Sequence, residues 1–271
     1  MIGVLSMSTA QVLVSCMHSD IHILEKLNLH HDVVVINQCD VKAEKVSKFD
    51  NHIIFIDTPT RGLSVSRNLA IKYADSEICV LSDDDEFFEP GIQEKIRDVY
   101  ASYPQADIII FKIKDRKSKL GDYPHKLRYF DLFKVSSCQI SFRRMNIIKI
   151  KLHFDVLLGS GTGNGAGEEN KFLIDAYNAG LSIFYYPLEI SSLHETGSQW
   201  FDGCNAEFFY NRGATTRYIL GVPLSIIYAF YYVLTHRWKY KSDISMFGAL
   251  FHTLRGIYKN TISKEKNKIH D

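Results

Sequence analysis

The 271-residue chain has no cysteine pattern that would build a metal or disulfide framework. Its five cysteines, Cys16, Cys39, Cys79, Cys138 and Cys204, are scattered without a CxxC pair, which excludes a zinc ribbon and a stapled extracellular scaffold and points to reducing cytosol. The first eleven residues have no basic stretch leading into an apolar one, so no secretory leader is expected. No glycine-rich turn follows the first apolar run, Val12 to Ser15, and the one glycine-rich stretch, Gly159 to Gly167, lacks the Lys-Ser/Thr ending of a P-loop. A P-loop and a dinucleotide fingerprint are thereby excluded. Net charge is also slight, +1, and no nucleic-acid partner is expected.

What is present is an alternation of strands and helices. Val12–Ser15, Asp32–Ile36, His52–Ile56, Glu77–Leu81 and Ala106–Ile113 read as strands. Between them, Asp20–Leu29, Ser64–Ala74 and Pro90–Tyr100 read as helices, with Pro90 at a favoured first position. Crossovers of this length imply an α/β domain with a mostly parallel sheet flanked by helices. A further helix is expected from Glu168 to about Gly180.

Charge is unevenly placed. From Arg212 onward there are ten Lys/Arg against three Asp/Glu, leaving an acidic first part. The basic end holds the most apolar segment, Tyr218 to Thr235, eighteen residues without a charge. Gly221 and Pro223 break its first turns and its length is marginal for a span, so it reads as a helix lying in an anionic membrane surface, a buried helix or a dimer contact. Ile244 to Tyr258 follows as a second amphipathic helix.

The acids are concentrated at Asp83-Asp84-Asp85, directly after the apolar run Ile78 to Leu81. Three carboxylates at the end of a buried strand repel one another and raise each other's pKa unless something positive sits there. Hard oxygen donors of this kind suit Mg²⁺ or Mn²⁺ together with substrate phosphates. The competing reading is an ordinary solvated turn.

The surroundings of these acids resemble a known family. Arg61-Gly62-Leu63-Ser64-Val65-Ser66-Arg67-Asn68-Leu69-Ala70, then Asp83-Asp84-Asp85 and Pro90-Gly91, resemble the nucleotide-sugar half of family 2 glycosyltransferases of GT-A fold. In the second half, Phe154-Asp155, the glycine-rich loop, Gly167-Glu168-Glu169, Phe172-Leu173, Gly180, Tyr186-Pro187 and His194 are similar to the acceptor region of that family. The likeness covers residues 10 to 200. It implies a GT-A (Rossmann-like) domain over 1–205, its donor part near 1–115 and its acceptor part near 116–205, followed by a basic aromatic helical region over 206–271.

The resemblance also implies roles. Asp85 would ligate the divalent metal, with Asp83 on the metal or ribose and Asp84 beside them, and His194 would stand near the metal or diphosphate. Glu169 would be the base, although the family has Asp at that place, which leaves Glu168 in contention; a helix N-terminal role for both acids is the alternative. Ser15 and Asp40 would contact the nucleoside, with Asp57 as a substitute, and Arg61 and Arg67 would meet phosphates, Arg67 otherwise serving as a structural ion-pair residue. The expected activity is inverting, Mn²⁺- or Mg²⁺-dependent transfer from a nucleotide diphosphate sugar, UDP-linked, to a glycan or polyprenyl-linked acceptor in bacterial surface polysaccharide synthesis. It would take place in the cytoplasm, peripheral to the inner face of the membrane through residues 212–260, with homo-oligomerisation left open. A sugar nucleotidyltransferase and a non-catalytic sugar- or membrane-binding scaffold are the alternatives.

Overall fold

The structure is a computed structural model that describes residues 10–114, 116–162, 164, 166–193, 203–259 and 262. It divides into two compact units, Met1–Phe154 with Phe172–Thr196, and Asp155–Lys171 with Gly197–Asp271.

The first unit is built on one ten-stranded sheet. Four strands, β1 (Ala10–Met17), β2 (Val33–Gln38), β4 (Ile53–Thr58) and β5 (Ile78–Asp83), run parallel in the order β4-β2-β1-β5. Val33, Val34, Val35 and Ile36 are all fully buried, the continuous apolar run that a strand covered on both faces requires. At one edge β3 (Lys45–Phe49) pairs antiparallel with β4.

Beyond β5 the sheet becomes mixed. The antiparallel β9 (Ile140–Arg143) lies between β5 and β7 (Ile108–Ile113), and β10 (Ile183–Leu193) runs parallel to β7. Two short strands, β6 (Glu86–Phe88) and β8 (His125–Lys126), pair antiparallel with β10. The register of β10 shifts between Tyr185 and Glu189, where Pro187 has no N–H to give the ladder. The helices α1 (Ile23–Leu27), α2 (Leu63–Tyr73), α3 (Ile92–Ser102) and α4 (Arg144–Lys149) connect the strands. α1 is shorter than its sequence pattern, because Asn28 adopts a left-handed cap with φ 57° and ends it.

Helix α5 (Glu168–Asn178) begins in the second unit and ends in the first. The second unit otherwise consists of α6 (Ala206–Thr235), α7 (Arg237–Tyr240) and α8 (Met246–Lys259). Residues 155–171, which the family resemblance groups with the preceding domain, cluster here: Leu158 and Ala214 share a buried apolar cluster against which Leu157, Tyr218 and Ile219 pack, and Tyr218 Oη donates to Asp155.

α6 is not straight. Gly221 has φ 72° and ψ −178°, outside the helical region, and Pro223 follows it. In an unbroken helix Arg212 and Tyr232 would stand about 30 Å apart. Instead the Arg212 guanidinium lies 3.9 Å from the Tyr232 ring centre, and its Nη1 donates to Tyr228 Oη at 3.2 Å. The chain therefore doubles back at Gly221 into a helical hairpin with arms 206–220 and 222–235. α8 crosses the first arm at two glycines: a Cβ at Gly213 would stand 2.0 Å from Thr253 O, and one at Gly256 2.0 Å from Tyr210 O.

Candidate active site

Parallel pairing brings the C-terminal ends of β1, β2, β4 and β5 to one edge, the side on which open α/β sheets hold ligands. Register places Ser15 beside Asp83, and Asn37 between Cys16 and Asp57. Of the expected residues, Ser15, Asp57 and Asp83 therefore come to one edge of the sheet from segments far apart in the chain.

The acidic turn joins β5 to β6. Arg67, 1% exposed in α2, donates Nη2 to Asp83 Oδ1 at 3.0 Å and Oδ2 at 3.3 Å, and Ser137 Oγ donates to the same carboxylate at 3.2 Å. Behind the turn, fully buried Glu86 accepts the Asp83 backbone N–H at 3.0 Å and the Ser191 hydroxyl at 2.7 Å. Burial pushes its carboxyl up to about 8. Asp84 and Asp85 are half-exposed, and both carboxyls are raised, chiefly by desolvation. The charges of Asp83 and Asp84 raise Asp85 further, whereas for Asp84 the nearby Lys26 pulls the other way. Lys26 also donates to the Asp84 carbonyl at 2.6 Å.

Such a cluster favours a cation. Its donors are all hard oxygens, yet no three His, Cys, Asp or Glu side chains form a cage among the described residues. The arrangement fits a Mg²⁺ or Mn²⁺ that takes one or two carboxylates and completes its shell with phosphate oxygens. His194, the other expected ligand, lies outside the described residues.

On the other side of β1 the strand ends are organised by Asn37. Its Nδ2 donates to Ser19 O and to Asp57 Oδ1, both at 2.7 Å, and its Oδ1 accepts from Ser19 N at 2.9 Å. Ser15 is buried and accepts the Ser66 hydroxyl at 2.8 Å. Arg61 pairs with exposed Asp40 and also donates to the backbone carbonyls of Cys39 and Pro59 at 3.1 Å, joining the loops after β2 and β4. Arg61 is the more accessible of the two expected phosphate partners; the charge of Arg67 is directed at Asp83.

Adjacent residues of α2 face different tasks. Asn68 forms a reciprocal pair with Phe154, Nδ2 to the carbonyl and N–H to Oδ1, each at 2.8 Å. Phe154 stacks on Phe172 with ring centres 4.2 Å apart.

In the second unit, Gly167 precedes α5 with φ 99°, and a Cβ there would meet Thr215 Cγ2 at 2.7 Å. Glu168 is 6% exposed and Glu169 half-exposed in the first turn of α5. The loop before them contains hydrogen bonds from Gly159 N to Asn164 O at 3.0 Å and from Asn164 Nδ2 to Leu157 O at 3.1 Å.

Sequence reasoning did not single out Glu86, Asn37 or Ser137. Glu86 extends the acidic run by one residue and was legible as a fourth carboxylate. Ser137 carried no such signal.

The sequence model described as Glycosyl transferase family 2 matches residues 10–162, more than half of the chain. No curated protein sequence matches it. Among solved structures, S. aureus TarS 1-349 in complex with UDP superimposes with a TM-score of 0.53 at 13% identity, covering 93% of this chain and 70% of its own. The same protein with UDP-GlcNAc gives 0.55 at 15%, covering 93% and 71%. The Pyrobaculum calidifontis mannosyltransferase PcManGT, in complex with GDP-Man and Mn²⁺, gives 0.51 at 12%, covering 93% and 74%. At these identities the likeness is one of fold.

Proposed function

The chain belongs to glycosyl transferase family 2 and is a glycosyltransferase, and from this premise we propose that it inverts the anomeric centre of a UDP-linked sugar as it transfers that sugar to a glycan or polyprenyl-linked acceptor. The setting we propose is bacterial surface polysaccharide synthesis in the cytoplasm, at the inner face of the membrane. The observation that carries the reading is the acidic turn after β5, with Asp83 anchored by buried Arg67 and Asp85 left half-exposed beside it.

Asp85 and Asp83, with His194, would hold Mn²⁺ or Mg²⁺. That ion, when bound, stabilises the charge of the departing diphosphate as a Lewis acid. Arg61 offers its guanidinium fork to phosphate oxygens, and Ser15 and Asp40 border the nucleoside. Glu169 accepts the acceptor hydroxyl's proton as that oxygen bonds to the anomeric carbon and the sugar–diphosphate bond breaks, its electron pair leaving on the diphosphate oxygen. Glu168, more deeply buried, is the second candidate for that proton. Support for a nucleoside diphosphate sugar comes from the ligands named for the fold relatives, which include both uridine and guanosine donors.

Thermal unfolding with UDP, GDP and their sugars, each with and without Mn²⁺, tests the proposal. A ligand selective for the native state raises the midpoint, by about 2.7 kcal/mol of stability at one hundred times its Kd. We expect a rise that needs UDP and Mn²⁺ together. An equal response to UDP without Mn²⁺, or a response confined to GDP, would overturn the metal or the uridine assignment respectively.

A further inference from the structure

The second arm of α6, residues 222–235, presents apolar side chains on both of its faces. Its inner face, with Ser225, Ala229, Tyr232 and Val233, is buried within the second unit. Its outer face carries Ile227, Phe230, Tyr231 and Leu234 at helical spacing, all at least 45% exposed. Only 22% of the most apolar eighteen-residue window of α6 is buried. α8 has a stripe of its own, Phe247, Phe251 and Tyr258, between 61% and 86% exposed. An apolar surface of this extent marks a docking site.

Charge identifies the occupant. No Asp or Glu occurs from Phe208 to Ser242, and exposed Arg237, Lys239 and Lys241 follow the arm directly, with Trp238 70% exposed among them. Arg255 and Lys259 are exposed in α8. A two-fold contact between copies of the chain would set this basic rim against itself. An anionic lipid surface would receive the apolar stripe in its acyl boundary, the cations at its headgroups and Trp238 between them.

We infer that the outer face of residues 222–235, with Trp238 and the basic residues that follow, is a monotopic docking surface for an anionic bilayer. It does not cross. The hairpin leaves each arm about 21 Å long, short of the roughly 30 Å hydrocarbon core, and the first arm carries Glu207, Arg212 and Arg217. The inference gives a physical form to the membrane contact proposed above, and its test requires no catalysis.

The experiment is sedimentation of the full-length protein with vesicles of phosphatidylcholine alone or with phosphatidylglycerol. Variants Ile227→Asn with Leu234→Asn, and Arg237→Glu with Lys239→Glu, are compared with the wild type after their melting curves confirm folding. The wild type is expected to pellet with the anionic vesicles and to be released by alkaline carbonate. Both double variants are expected to bind at least about tenfold more weakly, since each basic residue near such a surface contributes a factor of about five. In a Trp200→Phe background, Trp238 fluorescence should be quenched by brominated lipid. Absent or charge-independent vesicle binding would overturn the inference, as would resistance to carbonate or an apolar variant that turns a dimer into a monomer without changing sedimentation. Transfer to a water-soluble acceptor, measured in the same variants, reports on the enzymatic reading alone.

Discussion

Glu86 has the most constrained carboxyl of the acidic turn, because it is fully buried and still accepts two hydrogen bonds, from Asp83 N and Ser191 Oγ. In the folded chain it keeps its proton up to about 8, whereas unfolded it would release it near 4.5. Between those values the folded state binds more protons, so stability falls as pH rises through that window and levels off above it. Glu86→Gln should flatten this slope in melting curves recorded without divalent ions from pH 5 to 8.5; an unchanged slope would assign the proton elsewhere. Of the residues assigned to chemistry, Asp85→Ala should abolish metal-dependent turnover, and full activity of that variant without added divalent ion would remove the metal assignment. Glu169→Gln should lower kcat by about 10²-fold or more while leaving donor affinity unchanged. If Glu168→Gln is the inactive variant instead, the base is one residue earlier.

At the scale of elements, the crossing of α6 and α8 depends on two hydrogens where any other residue has a carbon. Gly256→Ala would drive a Cβ into the Tyr210 carbonyl, and overpacking of this kind costs about 1–3 kcal/mol. The midpoint of denaturant unfolding should fall accordingly; no change would mean that the helices separate without loss. This crossing was not legible in the sequence, since Gly213 and Gly256 lie forty-three residues apart and look like ordinary weak points of a helix. The strands that lead to Asn37 and to Asp83 were legible: Val33 to Ile36 and Ile78 to Leu81 are buried on both faces and read as continuous apolar runs. β6 and β8 were not, because a strand of two or three residues shows no periodicity and exists only by pairing with β10. Asp83 to Asp85 were visible as an electrostatic oddity. The partnership of Asp83 with Arg67, sixteen residues away, needed the fold to show that the guanidinium faces the acids and is not held within its own helix.

Across the whole molecule the five thiols share one property, reluctance to ionise. Burial pushes Cys16 and Cys79 up to about 12, and Cys138 and Cys204 are also raised mainly by desolvation. Cys39 alone is partly accessible. Titration of the native protein with a disulfide reagent at pH 7.5 should therefore consume one thiol quickly and all five after unfolding; several fast thiols would mean that the core opens readily. The neighbouring side chains Arg67 and Asn68 have a different kind of reach. One grips the carboxylate at the end of β5 and the other holds the backbone of Phe154, whose ring lies flat on Phe172 of α5. α2 is thus a lever with two loads at neighbouring points. The end of β5 and the backbone at Phe154 are fastened to adjacent residues of one helix, so a shift of α2 would move both together.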